Sequence, residues 1–208
     1  MTDRAQHWDG VYRAKDEADL TWFEAEPQVS LDVIGRHVSP GQAIVDVGAG
    51  ASRLADHLLA MGFGPLTALD LSGAALKVSQ DRLGPQANDV TWVVGDVAHW
   101  RPETMFALWH DRAVFHFLTE PAARKAYFET LLGAVAPDGK VVITTFAEDG
   151  PEKCSGLPVR RYSPQSLRDE VNRCAPGVFT LLESRAHVHV TPTRNHQRFQ
   201  VSVFQRNA

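Results

Sequence analysis

The stretch Ala43-Ile44-Val45-Asp46-Val47-Gly48-Ala49-Gly50-Ala51-Ser52 decides the fold of this chain. A short apolar run ends in an acid and two glycines, and a helical pattern begins directly after them. This order predicts a strand, a tight turn and a helix start, in which small residues let the backbone approach a ligand closely. Because the first free N–H groups of the helix point into the same gap, we expect a nucleoside cofactor there.

Position 53 separates two classes of cofactor. A dinucleotide-binding G-x-G-x-x-G fingerprint requires glycine at this position, because the helix packs closely against the strand. The chain has Arg53 instead. The run from Val45 to Gly50 resembles the first motif of the class I S-adenosylmethionine (SAM)-dependent methyltransferases, whose acid-x-Gly-x-Gly signature wraps the methionine and ribose end of SAM. Ser52 stands where this family often has a further glycine.

The resemblance also rests on three later strand ends. Asp70 closes a second strand, Gly95-Asp96-Val97 closes a third, and Trp109-His110-Asp111-Arg112 closes a fourth, in the spacing of this family. The turn Pro137-Asp138-Gly139-Lys140 precedes the fifth strand, as a similar turn does in many methyltransferases. The resemblance covers about residues 40 to 147.

The resemblance implies a set of SAM-contacting residues at these strand ends. Asp70 ends the second parallel strand at the crevice where such sheets bind ligands, and its carboxylate can accept from both ribose hydroxyls. Asp96 would accept from the exocyclic amine of adenine. The set comprises Asp46, Gly48, Ala49, Gly50, Asp70, Leu71, Asp96, Val97 and Asp111, with S-adenosylhomocysteine (SAH) as the product.

The segment after the fourth strand carries the catalytic candidates. In the family this strand end faces the sulfonium, so the residues beyond it meet the acceptor. Asp111 could orient the nucleophile or accept its proton, and His116 could act as a base near neutral pH. The alternative for His116 is a packed, hydrogen-bonded core residue. The Asp-Arg pair is similar to a motif of the thiopurine S-methyltransferase group and to acid-basic motifs of some lysine methyltransferases.

Two regions supply candidate substrate contacts. By resemblance, the tryptophan-rich prefix is a lid in which Trp8, Tyr12 and Trp22 wall the methyl-transfer pocket; alternatively, these side chains only pack the prefix onto the sheet. The long loop at residues 147–163 adds Arg160, which could recognise a carboxylate or phosphate, and Tyr162, which could close the pocket. Arg112 is a further candidate, with a turn-holding ion pair as its alternative.

The predicted architecture is α/β, a Rossmann-like seven-stranded mixed sheet of five parallel strands plus a C-terminal antiparallel hairpin, with helices on both faces. With 208 residues and 44% apolar content, the chain can bury one core. We therefore expect a single domain over residues 1–208, with residues 1–40 as a helical lid and residues 41–208 as the core. We expect it to be a monomer or a homodimer.

Composition disfavours several partners. The net charge is -4, from 21 basic and 25 acidic residues, and no basic run suggests nucleic-acid binding. No apolar run is long enough for a membrane span, and the polar N-terminus lacks the apolar core of a signal peptide. Cys154 and Cys174 are far apart and have no metal-binding spacing, which indicates two free thiols in the cytoplasm.

Three histidines near the C-terminus are candidate metal ligands. His187 and His189 alternate with apolar residues on a strand and so share one face, and His196 follows after the turn. Because no acid or cysteine lies nearby in sequence, we expect a polar sheet face and no metal.

The expected chemistry is in-line methyl transfer from SAM to a small-molecule thiol, amine or carboxylate, in which positioning does most of the work and no metal is needed. Protein lysine methylation is the alternative with the same chemistry. A SAM- or SAH-binding module without turnover, and a nicotinamide-dependent oxidoreductase, are alternatives from other classes. The oxidoreductase is disfavoured by Arg53 and by the lack of an obvious Tyr-x-x-x-Lys set.

Overall fold

The computed structural model describes residues 3–208; the first two residues of the predicted lid lie outside this range. In chain order its helices and strands are α1 (Asp3–Ala14), α2 (Gln28–His37), β1 (Ile44–Val47), α3 (Leu54–Ala60), β2 (Leu66–Asp70), α4 (Gly73–Leu83), β3 (Val90–Val94), β4 (Phe106–Arg112), α5 (Pro121–Ala134), β5 (Val135–Phe146), β6 (Lys153–Cys154), β7 (Leu157–Pro158), α6 (Pro164–Cys174), β8 (Phe179–Val190) and β9 (His196–Arg206). Short 3-10 turns occupy Glu17–Asp19, Gly84–Asp89 and Phe115–Phe117.

The main sheet has seven strands in the order β3-β2-β1-β4-β5-β9-β8. The first five are parallel, while β9 runs antiparallel to both β5 and β8. This confirms the predicted mixed sheet of five parallel strands and a C-terminal hairpin. The strand order reverses between β1 and β4, which is the switch point where open α/β sheets bind ligands.

Helices cover both faces of the sheet, as predicted. On one face α5 and α6 pack through Tyr127 and Leu167 against Val45 and Trp109. On the other face α2, α3 and α4 pack against β1 and β4. Because strand side chains alternate between faces, the odd-numbered residues of β1, and of β4 from Leu108 onward, face α5 and the even-numbered ones face α2. This alternation decides which side chains of β4 reach the functional site.

One local feature lies outside the main sheet. The loop predicted at residues 147–163 contains the hairpin of β6 and β7, which is separate from the main sheet. Within residues 3–208, no helix combines the length and the apolar character needed to cross a bilayer.

Candidate active site

A large cleft opens at the carboxyl ends of β1, β2, β3 and β4. It encloses about 1420 Å³, counted out to its open mouth. Seven of the predicted SAM-contacting residues line it together: Asp46, Gly48, Ala49, Asp70, Leu71, Asp96 and Val97. The parallel strands thus bring separate stretches of sequence to one site, as the spacing of their terminal acids predicted.

The glycine turn after β1 needs its glycines. Gly48 and Gly50 have positive φ values of 72° and 52°, which side-chain-bearing residues rarely adopt. A Cβ added at Gly48 would lie 2.1 Å from Cγ2 of Val114, and one at Gly50 would lie 2.4 Å from the Tyr12 hydroxyl. Tyr12 therefore covers Gly50, which does not itself line the cleft.

Arg53, the residue that replaces the third glycine of a dinucleotide motif, turns toward the N-terminal segment. Its guanidinium forms an ion pair with Glu17 and lies over the ring of Phe23, 5.4 Å from the ring centroid. Arg82 of α4 pairs with the same glutamate and with Asp56 of α3. This network ties the segment between α1 and α2 to the helix that follows the glycine turn.

Asp70 ends β2 at the cleft, where two backbone N–H groups hold its carboxylate. Its Oδ2 accepts from the backbone N–H of Gly50 at 2.9 Å, and its Oδ1 accepts from that of Ser72 at 2.8 Å. Burial raises the pKa of Asp70 to about 6, against the opposing effect of these two hydrogen bonds. Each carboxylate oxygen keeps a further acceptor site, so ribose hydroxyls fit the remaining capacity.

Asp96 lies at the far end of the cleft, after β3. Its Oδ1 accepts from the backbone N–H of Ala98 at 2.9 Å, and its Oδ2 lies 3.3 Å from Nδ1 of the exposed His99. The carboxylate remains about one third exposed, so it is accessible to a hydrogen-bond donor such as an amine.

His110 is a cleft residue to which the sequence analysis gave no role. Its Nδ1 lies 2.7 Å from Oδ1 of Asp46, and its Nε2 lies 2.9 Å from the Ser30 hydroxyl of α2. His110 pairs with Asp46 in register across β1 and β4, a relationship that becomes visible only once the two strands are paired. Both ring nitrogens are occupied, so the imidazole links α2 to the base of the glycine turn.

Asp111 contradicts the prediction of a catalytic and SAM-contacting role. It is fully buried on the opposite face of β4, outside the residues that line the cleft. Its carboxylate accepts from the backbone N–H groups of Val114 and Phe115 at 2.9 and 3.1 Å and from the Tyr127 hydroxyl at 2.7 Å. Strand alternation explains the difference, since an odd-numbered residue here faces α5. Asp111 therefore holds the turn after β4.

His116 is also misplaced for the predicted role of base. It is fully buried outside the cleft lining, and its ring packs against Phe117 and Phe146. Burial, with a smaller effect from Arg112, lowers its pKa to about 3. The imidazole is therefore neutral and weakly basic at physiological pH, which agrees with the packed-core alternative.

Arg160 and Tyr162 do not reach the cleft, contrary to the prediction for the long loop. The backbone N–H of Arg160 donates to the carbonyl of His116, and that of Tyr162 donates to the carbonyl of Phe146. These bonds fold the segment back, so that the Tyr162 ring is buried 5.6 Å from that of Phe115. Arg160 lies over the Tyr162 ring and pairs with Glu170.

The N-terminal segment forms an aromatic wall of the cleft, which agrees with the predicted position of three candidates. Trp8 meets Trp22 edge to face at 5.7 Å, and Tyr12 meets the same indole at 6.1 Å. Trp8 also meets Phe117, in the turn after β4, at 5.3 Å. The cluster therefore both packs the prefix onto the core and lines the cavity.

Arg112 lines the cleft from the even-numbered face of β4. Its Nη2 lies 3.1 Å from Oε1 of Glu24, and its guanidinium donates to the carbonyl of Trp22 at 3.2 Å. It thus anchors the segment between α1 and α2, as the ion-pair alternative proposed. Further lining residues at this end are mainly apolar: Phe117, Phe146, Cys154, Leu157 and Phe199.

Comparison with known proteins gives the site a family. Residues 44–139 match the model of a methyltransferase domain. The chain is 27% identical over 156 residues to EEF1A lysine methyltransferase 2 of Danio rerio, covering 67% of each protein. It is 34% identical over 76 residues to thiocyanate methyltransferase 1 of Brassica oleracea, covering 36% of this chain and 33% of that relative.

The chain spans between one fifth and two thirds of the length of the curated relatives it matches. Its fold resembles that of the Burkholderia thailandensis 1,6-didemethyltoxoflavin-N1-methyltransferase, solved with its substrate and SAH. The TM-score is 0.71 at 21% identity, over 99% of this chain and 85% of the other. The glycine turn, the acids at the cleft and these similarities agree: residues 44–139 form a methyltransferase domain, and the fold around it is the Rossmann-like fold of solved SAM-dependent methyltransferases.

Proposed function

We propose that this enzyme methylates a small-molecule nucleophile such as a thiol, an amine or a carboxylate. The proposal rests mainly on the aromatic wall of the cleft. Trp8 and Trp22 stand over the same cavity as the glycine turn, and Phe146 and Phe199 line its inner end. A cavity walled by aromatic and apolar side chains with a few polar groups is typical of small-molecule sites.

Bound SAM supplies a methyl group already activated on a sulfonium. We propose that Asp70 holds the ribose, that Asp96 accepts from the adenine amine, and that Gly48 and Ala49 pass close to the methionine end. The indoles of Trp8 and Trp22 would then orient the acceptor and exclude water. Holding a nucleophile at near-attack distance contributes several kcal/mol to such a displacement, about 7 to 11 in well-oriented intramolecular reactions.

Two side chains of the cleft that could act as a general base are poorly suited to take a proton from the acceptor. Among the described residues of the cleft, His110 has both ring nitrogens hydrogen-bonded, and the Cys154 thiol has its pKa raised by burial to about 11. An acceptor that ionises near neutral pH, such as a thiol, needs the least help from a general base. This favours acceptors that are already deprotonated near neutral pH, such as thiolates and carboxylates, over alcohols.

Protein lysine methylation is the second candidate. It is favoured by the similarity to a relative named as an EEF1A lysine methyltransferase. A further relative is named as a ribosomal protein L11 methyltransferase, whereas the names of two others point to small acceptors, thiocyanate and 1,6-didemethyltoxoflavin. The aromatic wall formed by α1 and Trp22 narrows the access of a folded protein to the cleft more than that of a small molecule, which supports the small-molecule proposal.

We further propose that residues 1–208 act as one domain with residues 1–40 as its lid, in the cytoplasm, as a monomer or homodimer. The lid is supported by the position of Trp8, Tyr12 and Trp22 in the cleft wall. The location is supported by Cys154 and Cys174, which are both free thiols. The net charge of -4 gives no support for a nucleic-acid partner.

A turnover assay tests the acceptor class. Purified enzyme and SAM are incubated with a panel of thiols, amines and carboxylates, and in parallel with lysine-containing peptides, while SAH formation is measured. We expect SAH only with small molecules. SAH formation with peptides alone would favour lysine methylation, and tight SAM binding without turnover on either panel would favour a binding module.

A further inference from the structure

Three potential metal ligands meet beside the cleft, apart from the residues proposed to bind SAM. Glu24, from the segment between α1 and α2, approaches His187 and His189 on β8. One ligand atom from each of the three lies within 4.8 Å of the others. Glu24 also lines the cleft. The sequence pattern does not predict this cluster, because Glu24 is remote in sequence from the two histidines. His196, the third candidate ligand in the sequence, does not belong to it.

His189 is oriented like a metal-ligating histidine. Its Nε2 lies 2.8 Å from the backbone carbonyl of Thr21, so Nε2 carries a proton and donates it. Its Nδ1 then faces Oε1 of Glu24 at 3.3 Å. In a neutral ring this Nδ1 carries a lone pair that faces the carboxylate oxygen, so the contact becomes favourable when either a proton on Nδ1 or a metal ion lies between the two atoms. A carbonyl behind the other ring nitrogen is usual for histidines that bind metals.

His187 supplies the second nitrogen. Its Nε2 is buried without a hydrogen-bond partner and lies 3.7 Å from the same Glu24 oxygen. Leaving a buried polar atom unpaired is unfavourable, so this nitrogen has a reason to take a ligand. In tetrahedral zinc sites, bonds of about 2.0 to 2.2 Å place neighbouring ligand atoms roughly 3.3 to 3.6 Å apart. The separations of the two histidine nitrogens from the Glu24 oxygen, 3.7 and 3.3 Å, are close to that geometry.

Arg112 does not prevent cation binding at this place. Its guanidinium lies 3.1 Å from Oε1 of Glu24 and is held by the carbonyl of Trp22. Carboxylates that bind metals are commonly hydrogen-bonded by a second group, which is the position that Arg112 occupies. Sites with three neutral histidines bind zinc without an anionic protein ligand, so partial neutralisation of Glu24 is compatible with binding.

We propose that Glu24, His187 and His189 bind a divalent transition metal of the zinc class at the wall of the cleft. Two imidazole nitrogens and one carboxylate oxygen form a ligand set found in zinc sites that keep a fourth position for water or substrate. The three ligands are distinct from the residues that we assign to SAM, so this proposal does not depend on the proposed mode of SAM binding.

Metal titration of the full chain tests the site. EDTA-treated protein is titrated with Zn²⁺ by calorimetry and with Co²⁺ by visible absorption, where tetrahedral coordination gives intense bands. We expect one equivalent per chain, with affinity at least tenfold weaker in His187→Ala and in Glu24→Gln. His196→Ala, which removes an exposed histidine outside the cluster, serves as the matched control and should bind like wild type.

Three outcomes of these titrations would contradict the proposed metal site. Absence of a stoichiometric Zn²⁺ site in the wild type, or equal affinity in wild type and both cluster variants, would overturn the proposal. An equal loss in His196→Ala would overturn it too, because binding would then lie elsewhere. If a variant does not fold by circular dichroism, the wild-type Co²⁺ spectrum decides alone: tetrahedral bands support the site, and an octahedral spectrum like that of free Co²⁺ overturns it.

Discussion

Oδ1 of Asp46 and Nδ1 of His110 lie 2.7 Å apart across the paired strands β1 and β4. The Ser30 hydroxyl occupies the other ring nitrogen of this buried histidine. These contacts fix Asp46 at the start of the glycine turn, so the shape of this turn depends on a residue of β4.

His110→Ala should therefore weaken both folding and cofactor binding. We expect a loss of about 1 to 3 kcal/mol in the free energy of unfolding, because Asp46 and Ser30 lose their buried partner. Urea denaturation and SAM calorimetry measure the two effects. His196→Ala, at an exposed position outside the cleft, is the control. Wild-type stability in His110→Ala would show that the hydrogen-bonded chain is unimportant.

Asp70→Ala should weaken SAM binding by about 1 to 3 kcal/mol, or roughly 5- to 150-fold in Kd, through the loss of charge-assisted hydrogen bonds. Calorimetry with SAM and SAH measures the change. Asp81→Ala removes an exposed acid from α4, where it pairs with Lys77, and should leave the affinity unchanged. An unaltered Kd in Asp70→Ala would remove this residue from the cofactor site.

Asp111 should make stability fall as pH rises. Burial raises its folded-state pKa to about 6, above the ordinary value of 3.8, so the folded state holds the proton more tightly between these values. The unfolding free energy of the wild type, relative to Asp111→Asn, should decrease from pH 4 to pH 6 and level off above it. Urea unfolding at several pH values tests this, and a constant difference would contradict it.

Trp22→Ala should reduce catalysis with the methyl acceptor more than it reduces the binding of SAM. Removing the indole opens the aromatic wall, so we expect kcat/KM for the acceptor to fall at least tenfold, while the Kd of SAM changes less than threefold. Steady-state kinetics and calorimetry separate the two. Trp92→Ala, whose indole donates to Ala87 away from the cleft, controls for the loss of a large side chain. Equal effects on both substrates would argue against an acceptor wall.

Glu17→Gln should loosen the segment between α1 and α2. Its carboxylate pairs with Arg53 and Arg82, and partly exposed ion pairs of this kind contribute about 1 kcal/mol or less each. We expect faster limited proteolysis within residues 15–26 and a smaller difference from wild type at high salt. Glu26→Gln, at an exposed position, is the control. Identical cleavage rates would show that this network does not restrain the segment.

The fold was predictable because several independent sequence patterns indicate the same architecture. The glycine turn, the acids after β2 and β3, and the apolar runs between helical patterns all indicate a parallel sheet with one binding edge. Asp70 and Asp96 reached the cleft for that reason. The mixed sheet followed from the C-terminal strands, which the structure shows as an antiparallel hairpin.

Three parts of the site could not be predicted. On β4 both faces are buried, so the pattern of Trp109, His110 and Asp111 does not reveal which side chain faces the cleft. Arg160 and Tyr162 are turned away by backbone hydrogen bonds that a loop sequence does not show. Glu24 joins His187 and His189 only through tertiary folding, for which no local pattern exists.

The alternation of β4 separates two design problems within a single strand. Trp109 and Asp111 hold α5 and the following turn, whereas His110 and Arg112 border the chamber in which chemistry is proposed. An engineer seeking a new acceptor therefore has to keep the odd positions as a fixed scaffold. Any change at the even positions must also replace the contacts that His110 makes with Asp46 and Ser30, and that Arg112 makes with Glu24.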